Sequence, residues 1–200
     1  MMATTETNPG GLPAGPSGLP LPETRLSRVL DGIVRTVGEW SSWIWTILML
    51  LIVIQVIQRY VIGLGSIQME ETQWHLYAIG FMLGLGFAEL RERHVRIDVF
   101  AEMFPLRLRY WIEIVGLVVF LLPFCVFVIW WSIPYVIESW QVGEVSAAPG
   151  GLPFRYLLKG VITIAFVLLA MTGVSRLSRV VAALRLQADR DARDVPADPV

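Results

Sequence analysis

Residues 42–62, SWIWTILMLLIVIQVIQRYVI, form an almost unbroken apolar run whose single charge is Arg59. About twenty such residues are what a helix needs to cross the ~30 Å hydrocarbon core of a bilayer, where backbone polar groups must be satisfied within the segment. Three further blocks have the same character, at about 72–90, 111–133 and 157–175. The composition agrees, with 55% of residues apolar, 16% charged and a mean hydropathy of +0.61, where a soluble domain has about a quarter of its residues charged. The expected fold is an all-α integral membrane protein with four transmembrane helices over residues 41–180, and little chain is left for a soluble domain.

Flanking segments complete the expectation. Residues 1–23 are rich in Pro and Gly, lack the basic and apolar regions of a cleavable signal, and read as a disordered tail. From residue 24 to 40, Leu26, Val29, Leu30, Ile33, Val34 and Val37 recur at helical spacing between Arg25, Arg28, Asp31 and Arg35, the pattern of an amphipathic helix lying on the membrane surface. Val99, Phe100, Met103 and Phe104 make a second apolar stripe, so another interfacial helix is expected at about 96–110. Residues 181–200 read as a charged tail.

Orientation follows from the basic residues, because cytoplasmic segments retain Lys and Arg. Of the 16 in the chain, all but Arg59, Arg155 and Lys159 lie before the first block, between the second and third, or after the fourth. Both termini and the middle loop are thus expected in the cytoplasm, with 63–71 and 134–156 outside. The 8 tryptophans sit near the ends of the blocks or in the outer loop, as indoles at an interface do.

Little in the sequence points to chemistry. The block centres carry no ionisable residue, which would be the usual mark of a transport path. No inverted repeat of broken helices appears either. Cys125 is the only cysteine, which excludes an internal disulfide and a multi-cysteine metal site. His75 and His94 lie near opposite ends of the second block, about 28 Å apart along a helix, too far to share a haem. No catalytic or nucleotide motif, and no basic patch for nucleic acid, is present, so neither an enzyme nor a cofactor is expected.

The polar residues that remain suggest assembly. Gln55 and Gln58 suit hydrogen bonding between helices, and Arg59 could pair with Glu70 or Glu71. Glu71 and Glu89 fall on one face of the second block, and Gly80, Gly84 and Ala88 are spaced so that another helix backbone can approach closely. The same features leave two other readings open. A stand-alone four-helix exporter would place a carboxylate in its first span, and a membrane anchor of a redox enzyme would pair histidines around one haem.

Several motifs together resemble a known family. Gln58-Arg59-Tyr60 ends the first block, Glu70-Glu71 precedes a glycine-rich second one, and Arg91-x-Arg93-His94-Val95-Arg96-Ile97-Asp98 follows it. Downstream come Gly143-Glu144-Val145-Ser146, Pro149-Gly150-Gly151-Leu152-Pro153, and Lys159 at the start of the fourth block. The pattern over residues 25–180 resembles the small membrane subunit, DctQ type, of tripartite ATP-independent periplasmic (TRAP) transporters. The resemblance implies a multi-pass protein of the bacterial inner membrane without catalytic activity. It implies as partners a large, sodium-coupled membrane subunit and a periplasmic solute-binding protein, which together take up organic acids. It also implies that Arg91 to Asp98 form a fixed cytoplasmic elbow, and that the outer loop from Glu138 to Arg155 is a docking surface.

Overall fold

The computed structural model describes residues 19, 21–63, 65–91 and 104–193, the last four of these as backbone only. Five α-helices account for most of them: α1 Arg25–Ile57, α2 Ile67–Leu90, α3 Leu106–Val115, α4 Leu122–Gln141 and α5 Arg155–Arg193. No strand occurs among the described residues.

Thr24 starts α1 with a reciprocal cap. Its hydroxyl accepts from the Ser27 backbone N–H at 3.0 Å, and its own N–H donates to the Ser27 hydroxyl at 3.0 Å, which satisfies two donors that a helix N-terminus leaves bare. The helix then runs on without interruption. The separate interfacial helix expected at 24–40 is therefore the first part of the same rod as the apolar run. Nothing between them breaks a helix, because the hydroxyls of Ser41 and Ser42 both fold back onto the Gly38 carbonyl at 2.9 Å. A wide π turn, Gln58–Ile62, ends the rod, and Gly63 leaves it at φ +74°, a conformation that glycine adopts without steric cost.

The third block behaves in the same way. A π turn at Gly116–Leu121 joins α3 directly to α4, and the Leu122 N–H reaches back five residues to the Leu117 carbonyl. Pro123 follows at once; it has no N–H to give, and a widened turn accommodates it. Residues 106–110, expected to close an interfacial helix, instead open this rod behind Pro105, while residues 96–103 of that expected helix lie outside the described residues.

Helix α5 is the hub, touching each of the other four, and α1, α2 and α5 pack mutually around one axis. Small residues set the spacing. A Cβ on Gly38 would fall 2.4 Å from the Phe87 ring, and one on Gly86 would fall 3.2 Å from Leu168 Cβ. Beside it, the Thr172 hydroxyl donates to the Leu168 carbonyl of its own helix at 3.0 Å, and the Gly86 carbonyl lies 3.3 Å away. Ser132 and Thr163 join α4 to α5 at 2.8 Å. The α3–α4 rod leaves most of its apolar surface outward, with Phe120, Phe127, Trp130 and Trp131 all exposed, as are all eight tryptophans of the chain.

Among the described residues, three rods are long and apolar enough to cross a membrane: Arg25–Ile62, Leu106–Gln141 and Arg155–Asp189. Helix α2 is not among them. Its 24 residues include Glu70, Glu71, Gln73, His75 and Glu89, which lower its apolarity below that of the others. A core cluster lies at the other end of the bundle from the π turn of α1, where Leu19 and Leu21 are buried against Tyr110, Val180 and Ala183. These two leucines belong to the stretch expected as a disordered tail; their apolar side chains find the crevice between α3 and α5.

Candidate functional site

Polar side chains gather at the two ends of the bundle. At one end, the loop from Val142 to Phe154 folds over the start of α2 and α5. Gly143, at φ +62°, turns the chain out of α4. The loop closes on itself through Ser146 N–H to the Leu152 carbonyl at 3.1 Å and Arg155 N–H to the Glu144 carbonyl at 3.3 Å.

Two carboxylates hold this loop down. Glu71, in the second turn of α2, accepts the Leu152 backbone N–H at 2.6 Å and a hydrogen bond from the Ser146 hydroxyl. Gly151 makes room for it, since a Cβ there would stand 2.9 Å from the Glu71 Oε1. Glu144 accepts from the Ser139 hydroxyl at 2.7 Å and from the Lys159 ammonium, with Arg155 3.9 Å away. The same ammonium lies 3.8 Å from the centre of the Tyr135 ring, a cation–π contact. Hydrogen bonding to the charged form favours it. Thus Ser146, then Leu152, hold the Glu71 carboxyl below its ordinary range, and Lys159, then Ser139, do the same for Glu144.

At the opposite end, Glu113 pairs with Arg176, whose side chain is only 6% exposed. Asp31 accepts from the Ser175 hydroxyl and lies 3.9 Å from Arg179. Thr24 and Ser178 share a hydrogen bond of 2.8 Å. These contacts tie the N-terminal part of α1 and the end of α3 to α5. Among the described residues, no group of three or more His, Cys, Asp or Glu side chains could hold a metal ion. The arrangement is one of fastening: Glu71, Glu144, Asp31 and Glu113 are each bonded to a partner on another helix or in the loop.

Residues 48–183, about two thirds of the chain, match the family described as "Tripartite ATP-independent periplasmic transporters, DctQ component". The chain belongs to the DctQ family. No curated protein matches it. The family match takes in the Glu71 and Glu144 latches and the Glu113–Arg176 pair, while Thr24 and Asp31 precede it.

In this DctQ-family chain the residues singled out from sequence fare differently. Glu71, Glu144 and Lys159 come together at the loop as described. Arg59 and Glu70 line one cleft between α1 and α2, but Arg59 pairs with neither Glu70 nor Glu71, because Glu71 is turned onto the loop. Glu89 is engaged within the chain, so Glu71 and Glu89 do not form a free charged face. Gly80 packs against Ile44 and Trp45, whereas nothing lies within 4 Å of where a Gly84 Cβ would be. Arg91 caps α2 and stacks over the Phe87 ring at 5.1 Å. Arg93, His94, Arg96 and Asp98 lie outside the described residues. Gln55 accepts from the Gln73 amide of α2, a hydrogen bond between helices.

Sequence reasoning passed over Asp31, Glu113, Arg176, Gly38 and Gly86. Glu113 and Arg176 stand just at the inner edges of consecutive blocks with opposite charge, which was a usable signal. Asp31 looked like one more charge on a solvated face.

Proposed function

We propose that this DctQ-family chain braces the large membrane subunit of a TRAP transporter and presents the latched outer loop to a periplasmic solute-binding protein. In this reading the bundle spans the inner membrane four times, with α2 as the fourth span shielded by α1 and α5. Both termini lie in the cytoplasm, and the α2–α3 connection, with its concentration of arginines, lies on the same side. Solute and sodium ions cross in the partner, and the solutes are organic acids.

The observation that carries this reading is where the charges are. Glu71, Glu144 and Lys159 are tied together at one end, and Asp31, Glu113, Arg176 and Arg179 at the other. They fasten elements to one another and do not line up through the bundle as a path would. The exposed apolar side of α4 supplies surface for a larger neighbour in the membrane.

Co-expression with the adjacent large-subunit gene tests the brace. A tagged chain should bring the large subunit down in mild detergent at a fixed ratio, and the large subunit expressed without it should lose yield or thermal stability. A large subunit that is equally abundant and stable alone contradicts the proposal.

A further inference from the structure

Between the outer halves of α1 and α2 runs a cleft of about 480 Å³, lined by Leu48, Ile52 and Val56 on one side and by Trp74 and Tyr77 on the other. On its floor the Gln73 amide donates to the Gln55 side-chain carbonyl and also reaches the Leu51 carbonyl at 3.3 Å. The inner end is shut. Trp45 meets Tyr77 edge-on with ring centres 5.8 Å apart, and Gly80 brings α2 tight against Ile44 and Trp45. The outer end is open, and Arg59, Tyr60 and Glu70 stand at its mouth. Neither Arg59 nor Glu70 forms an ion pair with any other described residue.

The depth of the cleft decides what fits. From Leu48 to Arg59 the helix rises about 16 Å, half of the ~30 Å hydrocarbon core. A partner's transmembrane helix needs a groove along the whole core, and this one is blocked halfway. An acyl chain of one leaflet ends there. At the mouth, a guanidinium suits a phosphate and a carboxylate suits an ammonium group, and Tyr60 and Trp74 provide aromatic rings at the depth where headgroups sit.

We propose that this cleft binds one zwitterionic, amine-bearing glycerophospholipid of the outer leaflet, its phosphate on Arg59, its ammonium on Glu70 and one acyl chain against Ile52 and Val56. The proposal rests on α2 being a membrane span. The bound lipid fills the wedge between the two helices and makes the outer half of the bundle a single surface.

Native mass spectrometry of the purified complex with its large subunit tests this, with phosphatidylethanolamine or phosphatidylglycerol added as probe. One phosphatidylethanolamine should be held at least tenfold more tightly than phosphatidylglycerol. Arg59→Ala and Glu70→Ala should each weaken it about tenfold, the loss of one charge-assisted contact. Val56→Trp should abolish it while leaving the thermal midpoint of the complex in place. Equal retention of the two lipids, or full retention in Val56→Trp, overturns the proposal. So does efficient cross-linking of Ile52→Cys to the large subunit, which would put protein in the cleft. Accessibility tags at Gly65 and after Arg91 separate the two levels of the argument: tags on the same side refute the span itself, whatever the lipid result.

Discussion

Glu144 and Glu71 show how a short polar loop can be made rigid without a core of its own. Each carboxylate takes two hydrogen bonds, Glu71 from Ser146 and Leu152 far along the chain and Glu144 from nearby Ser139 and from Lys159 of α5, and these favour the ionised form. A carboxyl held below its ordinary value stabilises the folded state at pH above that ordinary value, and the contribution is lost as pH falls through the depressed one. The loop should therefore stay latched at neutral pH and through the usual carboxylate range, and loosen only below it. Hydrogen exchange at Ser146 and Leu152 measures this directly. Their amides should be strongly protected at neutral pH, and Glu71→Gln should lower the protection factor of Leu152 there, as acid does in the wild type once the slower intrinsic exchange at low pH is divided out. Slow exchange in Glu71→Gln would show that the loop is held by something else. Glu71, Glu144 and Lys159 were legible because their motifs resemble the family's. Their true partners, Ser139, Ser146 and a backbone N–H, were not, since hydroxyls and amides leave no charge pattern to read.

The buried pair Glu113–Arg176 makes a sharper demand at the same scale. Removing one member of such a pair leaves the other desolvated and uncompensated, at a cost of about 3–5 kcal/mol, whereas an apolar replacement of both can be close to neutral. Arg176→Leu should thus lower the denaturation midpoint in detergent markedly, and Glu113→Leu in addition should recover most of the loss. A double variant as unstable as the single one would mean that Arg176 acts chiefly through other contacts.

Among the elements, the order and approximate extent of the helical blocks were legible from the run of apolar residues alone. Their ends were not. Expected breaks at residues 40–42 and 110–111 fell where polarity changes, but a helix stops where a breaker or a cap stops it, and Ser41, Ser42 and Trp111 are neither. Hydropathy reports the solvent around a helix, and its backbone continues through that change. Helix packing was likewise half legible. Gly80 lies at a close approach as the small-residue spacing suggested, yet Gly84 does not, and the tightest approach, Gly38 on Phe87, lies in α1, outside the motif singled out in the second block. Gly38→Ala should destabilise the isolated chain by about 1–3 kcal/mol, since the Phe87 ring must move. Gly84→Ala should leave it unchanged or slightly more stable, because a helix interior prefers Ala over Gly. Thermal melts of the two variants check the contrast, and a Gly84→Ala loss as large as that of Gly38→Ala would place a neighbour against Gly84 within the chain.

At the scale of the molecule, a membrane bundle follows from composition and length, and three of its rods meet the requirements of a span unaided; the central place of α5 shows only in the packing. Helix α2 is less apolar because it carries the residues that fasten it: Glu71 to the loop between α4 and α5 and Gln73 to α1. A polar helix can still lie in a membrane where neighbouring helices cover its polar side chains. The exposed tryptophans and the exposed apolar side of α4 give the bundle an apolar exterior, which the proposed assembly would cover with lipid and a larger neighbour. Solute uptake into cells tests that account most directly, with the large membrane subunit and the periplasmic binding protein expressed with this chain, without it, or replaced by this chain alone. The account predicts sodium-dependent uptake only when all three are present, and none with this chain by itself. Uptake by this chain alone, or undiminished uptake in its absence, would contradict it.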